Sequence, residues 1–324
     1  MDRRDRARVV AVSFVVAASF VAVACIPIVN RDTIPTGSAG FSTFRLTPTS
    51  EPVGASDGTG AFRTVCDFSH MNFDDPIVYP GQPGKAHLHA YFGNTAASAS
   101  STATSIRTSG NSTCRGGTAN RTAYWVPAMV DTSTNDAVAP DELVVYYKSG
   151  YGGVRPADVR AMPTGLRMIA GDMASTAPQS HVHWECEDLG YPSRIDHIPS
   201  CAVGDRVLMM LEFPQCWDGV NLDSANHKSH LAYPTGSGCP ASHPVPIPVI
   251  TYNVYTQVGP GQDTADWRLS SDTIDDPELP GGYSAHGDWF DGWDAGVRDA
   301  WIRNCVQAAA DCHAHLVGDG RAMY

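Results

Sequence analysis

Lys85-Ala-His-Leu-His-Ala-Tyr-Phe-Gly93 alternates with a period of two, which is the spacing of a strand rather than a helix. His87, His89 and Tyr91 fall on one face, and Leu88, Ala90 and Phe92 on the other. Short apolar or alternating runs of the same kind recur at Ala123 to Val130, Leu143 to Tyr147, Leu166 to Ala170, His181 to Cys186, Val207 to Phe213 and Val249 to Val258. Clusters of Gly, Pro, Asp and Asn separate them, as turns require. Only Asp294 to Ala310 reads as a helix, with Trp293, Val297, Trp301 and Cys305 spaced by four along one stripe. Asp294 stands where an N-cap belongs. The expectation is a mainly β protein, sandwich or jelly-roll-like, with long loops and a C-terminal helix.

Outward from this region the chain changes character. Met1 to Arg8 carry four arginines, and Val9 to Ala24 is apolar apart from Ser13 and Ser19, which is a signal-peptide profile. A run of about 16 residues spans roughly 24 Å as a helix, short of the ~30 Å hydrocarbon core of a bilayer. Residues 1–24 are therefore expected to be a signal peptide. Cys25 directly after Ala22-Val-Ala24 leaves two fates open, simple cleavage or lipid attachment at a lipobox-like stretch, the latter being the one membrane association expected. Residues 25–60, rich in Thr, Ser, Pro and Gly from Asn30 onward, are expected to be a flexible linker. Residues 61–324 parse most simply as one globular domain, with Thr95 to Ser105 as a surface loop.

Without Cys25, eight cysteines remain, Cys66, Cys114, Cys186, Cys201, Cys216, Cys239, Cys305 and Cys312. An even number in an exported chain predicts disulfides, expected between cysteines close in sequence. No Cys-x-x-Cys pair suggests a structural zinc site. The net charge of −12 argues against nucleic acid as a partner, since phosphate binding draws on clustered Lys and Arg. It also makes a strongly anionic polymer a less natural substrate, unless a local basic groove overrides the global sign.

Eight of the twelve histidines come in close pairs, at 87 and 89, 181 and 183, 227 and 230, and 313 and 315. Two imidazoles on one strand face present two ligands to a divalent metal, or a base beside a positioning group. They serve equally as hydrogen-bonded residues of a half-exposed strand. His181-Val-His-Trp-Glu-Cys186 repeats the arrangement and adds Glu185 to the same face. In Asn226-His-Lys-Ser-His230, either His227 or His230 is placed to reach a shared cleft. Ser284 to Asp294 compresses His286, Asp288, Asp291, Trp289 and Trp293 into one stretch. His286, Asp288 and Asp291 are candidates for general acid, general base or metal ligation. Trp289 and Trp293 suit sugar stacking or core packing. His313 and His315 are left outside the site. Phosphate loops, Gly-x-Ser-x-Gly elbows and His-Glu-x-x-His helices are all missing, so nucleotide, esterase-type and zincin readings lose their support.

Taken together, Asp75-Pro-Ile-Val78, Ala86 to Gly93, Tyr124-Trp-Val-Pro127, Phe213-Pro-Gln-Cys-Trp-Asp-Gly219, His227-Lys-Ser-His-Leu-Ala-Tyr-Pro234, Gly238-Cys-Pro240, His243 to Pro248 and His286 to Asp294 resemble domain of unknown function family nineteen-ninety-six. The resemblance runs from about residue 61 to 312. It implies a secreted protein of the kind found in actinobacteria and fungi, often beside carbohydrate-binding modules, and brings no catalytic assignment.

The reading that follows is an extracellular carbohydrate-active hydrolase or lyase acting on cell-wall or other extracellular polysaccharide. Its expected catalytic residues are His89, His183, His286, Asp288 and Asp291. Tyr91, Trp125, Trp217 and Trp289 are expected to bind substrate, and His87, His89, His183 and His230 to hold a divalent metal. The alternative is a non-catalytic glycan- or metal-binding surface protein. Both require these side chains to meet in one accessible hollow.

Overall fold

The computed structural model describes residues 28–189, 194–273 and 279–324. The signal peptide and Cys25 lie outside the described residues. Nine strands form one antiparallel sheet: β1 (Gly60–Asn72), β2 (His89–Gly93), β3 (Ala123–Pro127), β4 (Glu142–Ser149), β5 (Arg167–Gly171), β6 (Val182–Cys186), β7 (Arg206–Glu212), β8 (Val249–Gln257) and β9 (His286–Phe290). Their order across the sheet is β5-β9-β3-β2-β1-β4-β8-β7-β6, so the protein is mainly β as expected. The runs read from alternation reappear as β2 to β8, within a few residues at each end.

The long strand β1 makes the architecture. Its first half pairs with β4, from Gly60↔Ser149 to Asp67↔Glu142. Its second half pairs with β2, and the register shifts between Phe68 and His70. A bulge of this kind bends and twists a strand, and here it lets one strand serve both halves of the sheet. The halves fold over each other. The Tyr252 hydroxyl of β8 donates to the Asp288 carbonyl of β9 at 2.6 Å. A Cβ on Gly287 would come within 2.5 Å of Leu211 Cδ2 on β7, so glycine is what allows β9 to approach so closely. Between the halves lies the core, with Phe62, Tyr147, Trp289, Trp293 and Trp301 among its largest members.

A second, smaller apolar cluster covers the outer face of the β2, β3, β5 and β9 half. Tyr91, Trp125, Ile169 and Phe290 project from that face and meet Ile77, Ala97 and Ile106 of the excursion between β1 and β3. Asp74 clamps the excursion, its carboxylate accepting from the Gly84 and Ala99 amides at 2.8 and 3.0 Å. The stretch expected as a surface loop ends in a short helix, α1 (Ala103–Thr108), started by a Thr102/Ser105 capping box.

The C-terminal helix is present as α2 (Ala295–Trp301), with Asp294 as its N-cap accepting from the Val297 amide. It continues as a π-helical turn through Val306. Disulfides join Cys66–Cys114, Cys186–Cys201, Cys216–Cys239 and Cys305–Cys312, each cysteine to its neighbour in sequence. Residues 30–59, expected as a free tether, are laid against the body. Leu46–Pro48 pairs with Arg321–Met323, Phe41 exchanges backbone hydrogen bonds with Ser112, and Gly54 donates to the Asp311 carbonyl at 2.6 Å. Backbone pairing with the body supplies what the segment lacks in apolar side chains. None of the helices among the described residues is long and apolar enough to cross a membrane.

Candidate functional site

Three imidazoles converge over the outer face of the covered half-sheet. The ring centroids of His87 and His89 are 4.2 Å apart, those of His87 and His286 5.0 Å, and those of His89 and His286 5.8 Å. His89 opens β2 and His286 opens β9, and both are buried. His87, two residues ahead of His89, is half-buried. Strand alternation thus delivers two rings from one stretch and the sheet order delivers the third.

Their protonation is set by backbone. His89 Nδ1 lies 2.9 Å from the Asp74 carbonyl, and His286 Nδ1 lies 2.9 Å from the Ser284 carbonyl. A carbonyl oxygen only accepts, so Nδ1 carries the proton in both rings and Nε2 presents a bare lone pair. The Nε2 atoms of His87, His89 and His286 are all buried without a hydrogen-bond partner. One ligand atom from each of the three lies within 4.8 Å of the others. Burial holds the imidazoles of His89 and His286 down to about 4 and pushes that of His87 lower still. All three are neutral, which is the state that ligates a metal.

Two carboxyls complete the cluster. Asp288, fully buried on β9, has neither oxygen hydrogen-bonded. Asp75, Asp288 and His89 form a second group with ligand atoms within 4.8 Å of one another. Burial, with Asp75 adding to it, raises the Asp288 carboxyl well above the usual carboxylate range. Asp75 is raised too, but its Oδ1 accepts from the Ile77 and Val78 amides, each at 2.8 Å, and these favour the ionised form. The two carboxyls are therefore unlike: both are raised, Asp288 well above the usual range, and only Asp75 has hydrogen bonds that favour its ionised form. An unpaired buried carboxylate costs several kcal/mol, so Asp288 ionises only when a cation sits beside it.

The cluster opens on a cavity of about 270 Å³ lined by Asp75, Val78, Ile169, Met173, His227, Lys228, His286 and Asp288. His227 and Lys228 form part of its rim. His227 has a left-handed backbone, φ 57°, a strained state for a histidine. Asp223 holds it through His227 Nδ1 at 2.9 Å. Lys228 Nζ donates to the Gly171 carbonyl at 2.7 Å.

Of the residues expected in the site, His87, His89, His286 and Asp288 meet, and the others do not. His183 lies on the outer face of the opposite half-sheet, its Nε2 3.5 Å from Arg194. His230 is buried with both nitrogens engaged, by Ser224 Oγ at 3.0 Å and the Arg167 carbonyl at 2.7 Å, so no lone pair is left for a metal. Asp291 accepts from the Gly165 and Trp293 amides and has a structural role at the end of β9. Trp289 is in the core with Nε1 donating to the Tyr147 hydroxyl. Trp125 and Tyr91 are fully buried and stacked, centroids 5.4 Å apart, with the Tyr91 hydroxyl on the Asp74 carbonyl. Neither presents a face to a sugar. Trp217, half-buried, donates to the Asn221 carbonyl in a separate small sheet. Asp75 and Lys228 were not singled out by the sequence reading, and between the paired histidines 227 and 230 it placed the wrong one at the cavity.

Fold and site together define a disulfide-braced, mainly β protein that buries a histidine–aspartate cluster beside a small cavity. A family model, domain of unknown function (DUF1996), matches residues 75–293, and the chain belongs to this family. The match runs from the first carboxylate of the cluster to just past its last. No curated protein and no solved structure matches the chain.

Proposed function

We propose that this is an extracellular metal-dependent hydrolase or lyase acting on a polysaccharide, with His87, His89 and His286 holding a divalent transition metal and Asp288 and Asp75 beside it as acid and base. The observation that carries the reading is three buried, unpartnered imidazole Nε2 atoms on residues whose ligand atoms lie within 4.8 Å of one another, with Asp288, both of whose oxygens are also unpartnered, grouped with His89 and Asp75. Buried polar groups are ordinarily hydrogen-bonded, and a cation held by the three Nε2 atoms satisfies them. Imidazole nitrogens select zinc, copper or nickel over calcium or magnesium, and the carbonyl-bound Nδ1 atoms are the outer-shell support such ligands usually have.

Three protein nitrogens leave a coordination position for water or substrate, and an ion there supplies Lewis acidity and acidifies a bound water. The chain's own groups do the rest. Burial raises the Asp288 carboxyl and so favours its acid form, two amides favour the ionised form of Asp75 against its own burial, and Lys228 lies at the rim. The cavity is smaller than the ~300–1,000 Å³ of typical drug-sized sites, so it fits a single sugar unit or chain end. Four disulfides fit an oxidising compartment, where wall and matrix polysaccharides are the abundant polymers.

A second reading, a metal-holding protein without turnover, is favoured by the depth of the cluster, since His89, His286 and Asp288 are at most 3 % exposed. Elemental analysis after dialysis, followed by a screen against wall polysaccharides for new reducing ends or unsaturated products, separates the two. About one equivalent of metal with chelator-sensitive turnover is expected. One equivalent without turnover selects the second reading, and no retained metal sinks both.

A further inference from the structure

On the open outer face of the other half-sheet, β4, β6, β7 and β8 line a cleft of about 370 Å³. Its walls carry Lys148, Arg194, His181 and His183, and Glu212 is its one carboxylate. In a chain of net charge −12 this is a local reversal of sign, offset only in part by Glu212, which acts on Lys148 and His183, and by Glu185, which acts on Arg194. Glu212 faces His181 Nδ1 at 3.5 Å. The Lys148 ammonium makes no hydrogen bond or ion pair among the described residues and rests only over the rings of Tyr146 and Tyr151, 5.7 and 5.1 Å from their centroids. Arg194 makes one long contact, 3.5 Å to His183 Nε2.

Two uncharged groups in the same cleft make no side-chain hydrogen bond among the described residues. Asn253 is 5 % exposed, and its amide makes no hydrogen bond among the described residues. Thr251 Oγ1 is buried and unpartnered. Thr251 and Asn253 alternate with inward-facing Tyr252 on β8, so both project into the cleft beside Lys148, whose neighbour across the β4–β8 ladder is Val249. Two cations and two hydrogen-bonding side chains therefore line one cleft, while strand pairing fixes most of the backbone that carries them.

We propose that this cleft is a second binding site, separate from the histidine cluster, for an anionic sugar. The carboxylate, sulfate or phosphate sits between Lys148 and Arg194, and sugar hydroxyls bond to Asn253 and Thr251. Charge-assisted hydrogen bonds supply affinity, and the buried Thr251 hydroxyl disfavours ligands that leave it unpaired. The site lies on the opposite outer face from the metal-type cluster, so it acts as an anchor for a polymer rather than as part of the reaction centre.

The test is titration calorimetry of the full chain with glucuronate, glucose 6-sulfate, glucose 6-phosphate, glucose and sodium sulfate. At least one anionic sugar is expected to bind at least tenfold more tightly than glucose, with affinity falling as salt is raised. Lys148→Met and Arg194→Gln should each weaken it about tenfold. Arg194 is exposed, so its variant reports on binding even where loss of Lys148 disturbs the sheet. Equal binding of glucose, or unchanged binding in both variants, overturns the proposal, and sodium sulfate binding as tightly as the sugars overturns the sugar assignment. The metal content of these variants is expected to match the parent, so failure here is distinguishable from failure of the metal reading.

Discussion

His87-Leu-His89 and His181-Val-His183 have the same spacing in the sequence and opposite fates in the fold. Both put two imidazoles on one outward face of a strand. His89 lies on β2, one strand in from β1, and the 73–108 excursion roofs that face, so the rings lose solvent and meet His286 and Asp288. His183 lies on β6, at the edge of the sheet, under an open cleft. Its imidazole is lowered by burial and by Arg194, and both rings stay half-exposed. Spacing chooses the face, and the cover chooses the chemistry: a neutral, metal-type cluster in one place and a wet, cationic cleft in the other.

The sharpest way to break the comparison is His89→Ala set against His183→Ala. Removing a ligand costs more than the ~10–100-fold lost with an outer-shell partner. We expect metal affinity to fall by roughly a thousandfold or more, about 4 kcal/mol, in His89→Ala and to hold in His183→Ala, read by elemental analysis of protein equilibrated with limiting zinc. Equal retention by both variants would remove the distinction between the two stretches.

The metal-free protein tests the same contrast by pH. His89 and His286 titrate near 4 when folded and near 6.5 when unfolded. Between those values the unfolded chain binds more protons, so stability falls as pH is lowered from 6.5 to 4. Each ring contributes up to about 3 kcal/mol of that loss. Thermal melts in chelator should show the slope flatten in His89→Gln and change less in His183→Gln, whose imidazole is lowered too but sits in a half-exposed cleft.

The sequence made most of the strands legible because their alternation has no rival reading, and it made the outward placement of His87 and His89 legible for the same reason. β9 was hidden. His286-Gly-Asp-Trp-Phe290 contains Gly287 and Asp288, both poor strand formers, and it is a strand through its pairing with β3 and β5, with Gly287 fitting where Leu211 and Tyr252 leave little room for a side chain. The first half of the site could thus be read from local pattern, whereas His286 and Asp288 depend on which strands become neighbours. Asp75 entered only as part of the motif Asp75-Pro-Ile-Val78, and its place in the cluster depends on the fold bringing it beside His89 and Asp288. The choice of His227 over His230 turns on one left-handed backbone angle, which spacing does not encode.

That dependence on close approach gives a third prediction. Gly287→Ala places a methyl 2.5 Å from Leu211 Cδ2 and 3.2 Å from the Tyr252 ring. Leu211 can turn away, so a destabilisation of about 1–3 kcal/mol is expected, measured by denaturant unfolding. Because residue 287 lies between His286 and Asp288, metal affinity should drop with it. A variant of full stability and unchanged affinity would show that the two half-sheets do not set the spacing of the cluster.

The smallest effect concerns the rim. Asp223 accepts from Arg167 Nη1 at 3.0 Å and from the Ser224 amide at 2.8 Å, and it holds His227 Nδ1 at 2.9 Å. These groups are half-buried, so Asp223→Asn is expected to cost only about 0.5–1 kcal/mol of stability. Its consequence should be local. An amide keeps one acceptor but loses the charge that fixes His227 in its left-handed conformation and, through it, the rim beside Lys228. His87, His89 and His286 do not contact Asp223, so metal content should be unchanged, while the KM of any turnover rises several-fold with little change in kcat. A fall in metal content, or in kcat with KM constant, would place Asp223 among the supports of the buried cluster instead of its entrance.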